Sequence, residues 1–326
     1  MTGAGPSSLR PSAAMMDAYD PVVGQAESGE YRYVAYGVRV GSYQPLAPLV
    51  VAEDDGEPDV RVRRGFLVDR PFEAREGFQT HVAPNEIWIR HSRVGTFVAR
   101  KGNEIVVDPL PDVEERVIRS YIVKAALAAV LLQRGKLILH ASGAAIGGGA
   151  VAFVGASGMG KSTTSAALHA RGHPVIADDL LGVDVCGADT PMALPGFPQV
   201  LLLPESAAAL GRDPSSLPRV SPLSDKFKLD TPLGFSLEAV PLRRIYALAD
   251  ADHDAIEPLG GREAVATLVA HTFGILAFAQ GAKPAHFLLC AELVKRVPVR
   301  RLARSRRLER LTELARLVER DFADDT

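Results

Sequence analysis

Eight consecutive residues, Gly155, Ala156, Ser157, Gly158, Met159, Gly160, Lys161 and Ser162, match the phosphate-cradling pattern G-x-x-x-x-G-K-[ST] in full. Glycines at those positions let successive backbone N–H groups turn inward, which makes a nest of positive partial charge for phosphate oxygens. A helix beginning near Lys161 adds its N-terminal dipole to the same site. The ammonium of Lys161 is then placed to reach β- and γ-phosphates, and the Ser162 hydroxyl to ligate Mg²⁺. The flanks suit this reading, because the apolar run Val151 to Val154 leads in and an alanine-rich helical pattern leads out. Such a loop needs an acid at the end of a neighbouring strand. The run Val175, Ile176, Ala177, Asp178, Asp179 supplies two, seventeen and eighteen residues beyond Lys161. Adjacent side chains on a strand point to opposite faces, so one carboxylate is free to hold metal while the other meets an acceptor hydroxyl. Like charges this close raise one pKa, which suits a general base. His140 closes the strand before the hairpin that feeds the loop, and neighbouring strands lie only about 4.8 Å apart.

Other residues carry weaker signals. Lys226 and Lys228 fall in an irregular segment that could fold over a nucleotide and neutralise developing charge; Lys226 is the favoured of the two. From Lys295 to Arg310 eight basic residues face one acid, Glu309. Leu308, Leu311, Ala315 and Val318 share one helical side there, so the charges read as a solvated face, with a basic groove for an acidic peptide as the alternative.

The elements that must position these residues are legible from periodicity. Residues 31–111 are a set of β-branched, aromatic and partly alternating runs, with a hairpin turn at Arg100 to Asn103; they form a small β-rich N-terminal domain. Residues 112–326 form a second domain. It opens with a helix whose Val113, Val117, Tyr121, Ala125 and Ala128 share a face and which stops at Gly135. Two apolar strands around Gly147 to Gly149, the loop, and its helix to Gly172 follow. Next come a buried strand through Asp178, an irregular stretch over residues 187–235, a strand near 243–249 and helices near 262–279 and from about 285. A strand at 297–305 and a last helix from about 306 end the chain. Residues 1–30 read as a frayed tail.

At 326 residues, 47% hydrophobic and 23% charged, the chain has an ordinary globular composition. A formal charge of −2 offers no global field for nucleic acid or an anionic membrane. The apolar stretches run to about a dozen residues, too short for a membrane span of about 20. Cys186 and Cys290 have no paired spacing, which predicts two buried thiols in a reducing cytoplasm.

The segment from Leu137 to Val185 resembles the catalytic domain of the HPr kinase/phosphorylase family and its HPr-kinase-like relatives. Four elements stand in the family's order: His140, the loop Gly155–Ser162, Arg171-Gly172-His173, and Ala177-Asp178-Asp179. The close match covers about 50 residues. The resemblance implies an α/β (α+β) phosphoenolpyruvate-carboxykinase-like P-loop kinase domain and ATP- and Mg²⁺-dependent phosphorylation of serine in a protein or peptide, a natural-product precursor peptide among the options. It implies that Lys161, Ser162 and Thr163 serve the nucleotide, that Ser162 and Asp178 serve the metal, and that Asp179 takes the acceptor proton with Asp178 and His140 alongside. The chain departs from the family in three places: no acid stands where a glutamate metal ligand is usual, Glu205 being the nearest; Thr163 follows the loop serine in place of Glu; and the N-terminal β region differs. A homo-oligomer is left open. A kinase of small-molecule hydroxyls and a non-catalytic ATP-binding regulator are the competing functions.

Overall fold

The computed structural model describes residues 29–187, 189–220, 224–273 and 283–324. Most of the expected tail lies outside them, as does the stretch from 274 of the helix expected at 262–279. The chain is a mixed α/β protein built on two large sheets.

The first sheet takes strands β1 (Tyr31–Ala35), β2 (Val38–Ser42), β3 (Val50–Val51), β4 (Val60–Arg64), β5 (Phe78–Ala83), β6 (Glu86–His91), β7 (Gly95–Arg100) and β8 (Glu104–Pro109), in the order β3-β1-β2-β4-β8-β7-β6-β5. The run expected as one strand from Tyr31 to Val40 is a hairpin. It reverses at Tyr36 and Gly37, both at positive φ, as the two central residues of its commonest tight turn require. A three-residue loop, Lys101 to Asn103, turns β7 into β8, with Lys101 and Gly102 at positive φ.

One face of this sheet is covered by α1 (Glu115–Tyr121), a π-helical turn (Ile122–Ala126) and α2 (Leu127–Gln133). Ile118, Ile122, Val123, Ala126, Leu127 and Val130 pack on Tyr33, Phe97, Ile105 and Val107 in one core. In the π turn the Leu127 N–H donates to Ile122 O, five residues back. The extra residue rotates the helix surface, and such turns recur at functional sites. Lys124 sits in it.

The second sheet comprises β9 (Leu137–Leu139), β10 (Ala141–Ile146), β11 (Gly149–Val154), β12 (Val175–Ala177), β13 (Leu181–Asp184), β14 (Met192–Leu194), β17 (Val240–Asp250), β18 (Ala255–Pro258) and β19 (Val299–Arg304). Its main path runs β12-β10-β11-β17-β14-β13-β9, with β19 parallel to β17. Helices α3 (Lys161–His169) and α7 (Leu311–Ala323) pack on one side through Ala167, Leu168, Leu311, Leu314 and Val318 against Phe153 and Tyr246. Helices α5 (Gly261–Ala270) and α6 (Lys283–Arg296) pack on the other through Ala264, Leu268, Cys290 and Leu293.

Two further expectations are corrected. The segment 187–235 is not irregular throughout. Besides β14 it holds β15 (Gln199–Leu202), α4 (Pro204–Ala209) and β16 (Phe227–Asp230), and β15 and β16 pair as a two-stranded sheet. Prolines at residues 191, 195, 198 and 204 space these pieces too closely for a period to show. Cys186 is exposed, in the turn after β13, where no apolar layer covers it; Cys290 is buried as expected. Among the described residues no helix is long and apolar enough to cross a membrane.

Candidate active site

Strand β11, buried along its whole length, delivers the chain into the loop, and α3 starts at Lys161. Gly158 and Gly160 have φ of 80° and 85°, the left-handed region where a side chain is strained. At Gly160 space is also excluded, because an added Cβ would lie 2.4 Å from the Arg304 guanidinium. The Lys161 ammonium donates to Gly155 O at 2.8 Å and Ala156 O at 3.1 Å. Burial and the nearby Lys226 ammonium pull its pKa below the usual lysine range, against the opposing pull of Asp179 and Asp178.

The two aspartates do not lie on a strand. They occupy the break between β12 and β13, and Asp179 is left-handed with φ of 70°. Asp tolerates that conformation better than most residues, yet it is uncommon enough to mark a constrained position. The side chains part as expected, though a backbone break rather than pleating separates them. Asp178 is 3% exposed. The Ser142 hydroxyl donates to one of its oxygens and the Leu201 N–H to the other at 2.8 Å. Burial pushes its carboxyl up; Ser142, Leu201 and the loop's Ser162 hydroxyl pull the other way. Asp178 thus stands behind Ser162, outside the cavity lining.

Asp179 turns the other way, into the cavity. Lys124 Nζ lies 2.7 Å from its Oδ2, and His140 Nε2 lies 3.3 Å from its Oδ1. Burial alone would raise this carboxyl, but His140 and Lys124 together hold it well below the usual carboxylate range. Of the pair, Asp178 is shifted up and Asp179 down, the reverse of an elevated pKa at the candidate base. Its contribution to stability is present above the unfolded value of about 3.9. It is lost only at lower pH, as the depressed folded pKa is crossed. Replacing Lys124 by Met removes a charge that favours the ionised form, so the Asp179 titration should move to higher pH. Carboxyl NMR shifts of wild type and variant check this, and an unmoved midpoint would contradict the role given to Lys124.

A cavity of about 350 Å³ gathers Ser157, Gly158, Gly160, Lys161, Ser162 and Thr163 with Asp179, His140 and Lys226. The structure thus brings most of the expected site residues around one space, with Asp178 just behind it and Gly155 and Ala156 outside the lining, tied to it through the carbonyls that accept from Lys161. Met159 enters through its carbonyl, which accepts from Arg304 Nε at 3.1 Å and Nη2 at 2.8 Å. The Thr163 hydroxyl donates to Ser206 Oγ at 3.0 Å. His140 lies between β9 and β10, where the chain leaves one pairing for another, and its N–H donates to His271 O at 2.8 Å.

Sequence reasoning missed four contributors. Lys124 interrupts an apolar helical run, and that lone charge is the only signal. Tyr36, from the hairpin of the first sheet, donates its hydroxyl to Leu180 O at 3.3 Å and braces the chain beside Asp179. Arg304 and Arg306 also line the cavity. Arg306 pairs with Asp250 at 2.6 Å, and most of the basic run is likewise engaged: Arg300 with Asp321, Arg301 with Glu263, Arg310 with Asp254. The run is not an open groove: much of it is a solvated, ion-paired face, as expected, with Lys295 and Arg306 well exposed and Leu311, Ala315 and Val318 buried on the other side, while Arg304 is buried against the loop. Arg171 and His173 do not reach the cavity; both meet Glu319 of α7, at 2.7 and 2.8 Å, and clamp the end of α3.

The donor set suits a hard cation. The Ser162 hydroxyl and the carboxylates of Asp179 and Glu205 line the same cavity. Among the described residues no three His, Cys, Asp or Glu side chains converge as a metal cage. Mg²⁺ requires none, since one or two carboxylates with substrate phosphates and waters suffice.

No family model matches the chain, and no curated protein does. Among solved structures the chain is similar to the HPr(Ser) kinase/phosphatase from Coxiella burnetii, with 15% identity over 58% of this chain and 97% of that one and a TM-score of 0.32. That likeness is too distant to carry weight for family or function.

Proposed function

We propose that the protein is an ATP- and Mg²⁺-dependent phosphotransferase that moves the γ-phosphoryl group to a serine hydroxyl of a protein or peptide, on an HPr-kinase-like P-loop domain. The observation that carries this reading is the position of Asp179: an ionised carboxylate, held from both sides by Lys124 and His140, in the cavity of the loop lysine. Gripping nucleotide alone calls for fewer placed groups than the loop, this carboxylate, Lys124 and His140 together.

In this reading the loop N–H groups and Lys161 hold the phosphates, with Arg304, Arg306 and Lys226 adding positive charge around them. Ser162, oriented by Asp178, together with Glu205 would hold Mg²⁺, which when bound would neutralise charge between the phosphates. Asp179 accepts the hydrogen bond of the incoming serine and aligns its oxygen. As the Oγ–P bond forms and the bond to the leaving phosphate breaks, the serine proton passes to the carboxylate. A depressed pKa is no obstacle, because in a loose phosphoryl-transfer transition state the nucleophile needs positioning more than early proton removal.

The test is incubation of the full chain with γ-labelled ATP, Mg²⁺ and serine-containing peptides. Label on peptide serine is the expected result. Label on a small hydroxyl metabolite alone would shift the acceptor class, and tight ATP binding with no transfer to any acceptor would make the protein a nucleotide-binding regulator.

A further inference from the structure

A second cavity, of about 500 Å³, shares a wall with the first. It lies between strands β5 and β6 of the first sheet, the helix carrying Lys124, and the segment Ala270–Phe273. Its lining is mostly apolar, with Ile87, Ile89, Tyr121, Ala125 and Phe273 prominent. That volume is within the range of small-ligand sites, about 300–1,000 Å³. His140 lines both cavities, and Lys124 lines this one. These are the two side chains that grip Asp179. A group seated here is therefore next to the carboxylate, on the side away from the loop.

We infer that this cavity is the acceptor site, and that it takes a hydrophobic side chain adjoining the serine of an extended peptide. The inference rests on the phosphotransferase reading and deepens it. The loop cavity already provides the polar lining that phosphates require, so the apolar one is left for the other reactant. An extended peptide rather than a small metabolite is favoured by the sheet edge. The first sheet ends at β5, and no described strand pairs with its outer side. A free strand edge is a template for an added strand, whose alternate side chains then fall on one face. Phe78 and Thr80, two apart on that edge, both line the cavity. Phe78 is 45% exposed at the mouth, a large apolar surface for the incoming chain to cover.

The experiment uses the full chain, ATP and synthetic serine peptides whose neighbouring residues are Leu or Phe in one set and Asn, Asp or Lys in the other. The expected result is a kcat/KM at least tenfold higher for the apolar set. Thr80→Trp, which fills the cavity from the edge strand, should raise peptide KM tenfold or more while KM for ATP and acceptor-independent ATP turnover stay unchanged. Phe78→Asp at the exposed mouth gives a second variant that leaves the core untouched, with the same expected split. Equal use of both peptide sets, or variants with unaltered peptide KM, overturns the inference while ATP binding and peptide transfer leave the phosphotransferase reading standing. Transfer to small hydroxyl compounds only also overturns it. Loss is shared by both ideas if the wild-type chain binds no ATP.

Discussion

Asp179→Asn should lower phosphoryl transfer by a factor of about 10² to 10⁴, the usual worth of a positioned general base, with ATP affinity nearly unchanged. The amide keeps the shape but cannot take the serine proton, and it presents a neutral group to the Lys124 ammonium 2.7 Å away. Lys124 and Asp179 are each about 30% exposed at the side chain, so solvent screens the lost pair and the cost in stability stays small. The discriminating measurement is paired: single-turnover transfer to peptide alongside equilibrium nucleotide binding. A variant that turns over at the wild-type rate would remove Asp179 from the chemistry, and one that loses ATP binding in parallel would make it a part of the nucleotide site. Asp178→Asn serves as the contrast. Its site accepts hydrogen bonds from Ser142, Leu201 and Ser162 in a dry setting. An amide N–H₂ turned toward those donors leaves groups unsatisfied, so that variant should lose folded stability as well as activity.

Arg304→Met should weaken ATP binding about tenfold or more and lower the melting temperature by several degrees. Arg304 is 5% exposed, and two of its N–H groups converge on one loop carbonyl, that of Met159. This carbonyl adjoins Gly160, whose left-handed turn aims the following N–H groups at the phosphate position. With the guanidinium gone the Met159 carbonyl lacks both donors. A buried polar group left unmade costs about 1–3 kcal/mol. Each kilocalorie shifts the midpoint by about 2–4 °C in a protein of more than 150 residues. Arg304→Lys should recover little, because an ammonium cannot reproduce the planar fork. Thermal melts with and without nucleotide, joined to ATP titration, check both halves. Unchanged affinity would mean the loop holds its shape without the arginine.

The match from Gly155 to Ser162 is a local property, readable without any fold: three glycines at fixed spacing and a Lys-Ser pair suit a phosphate-cradling turn. Local patterns also marked the helix broken by Gly135, the turn at Lys101 and Gly102, and Asp178 with Asp179 after a buried apolar triplet. What the two acids do could not be read that way. Sequence suggested a pair on opposite faces of a strand with one pKa raised by the other. The folded chain instead ends the strand at Ala177, seals Asp178 behind Ser162, and surrounds Asp179 with Lys124 from 55 residues upstream and His140 from 39. A pKa depends on which charges lie within a few ångströms and on how much water is excluded, and neither quantity is encoded by neighbours in the chain. Arg304 and Arg306 make the same point. In sequence they are two of eight basic residues along a strand and helix, and only the parallel pairing of β19 with β17, itself beside β11, carries them to the loop. Residue type and spacing thus determined which residues of the type suited to phosphate the chain carries, and in what order. Long-range pairing decided which carboxylate is shifted up and which down, which cations face Asp179, and that an apolar cavity opens beside it.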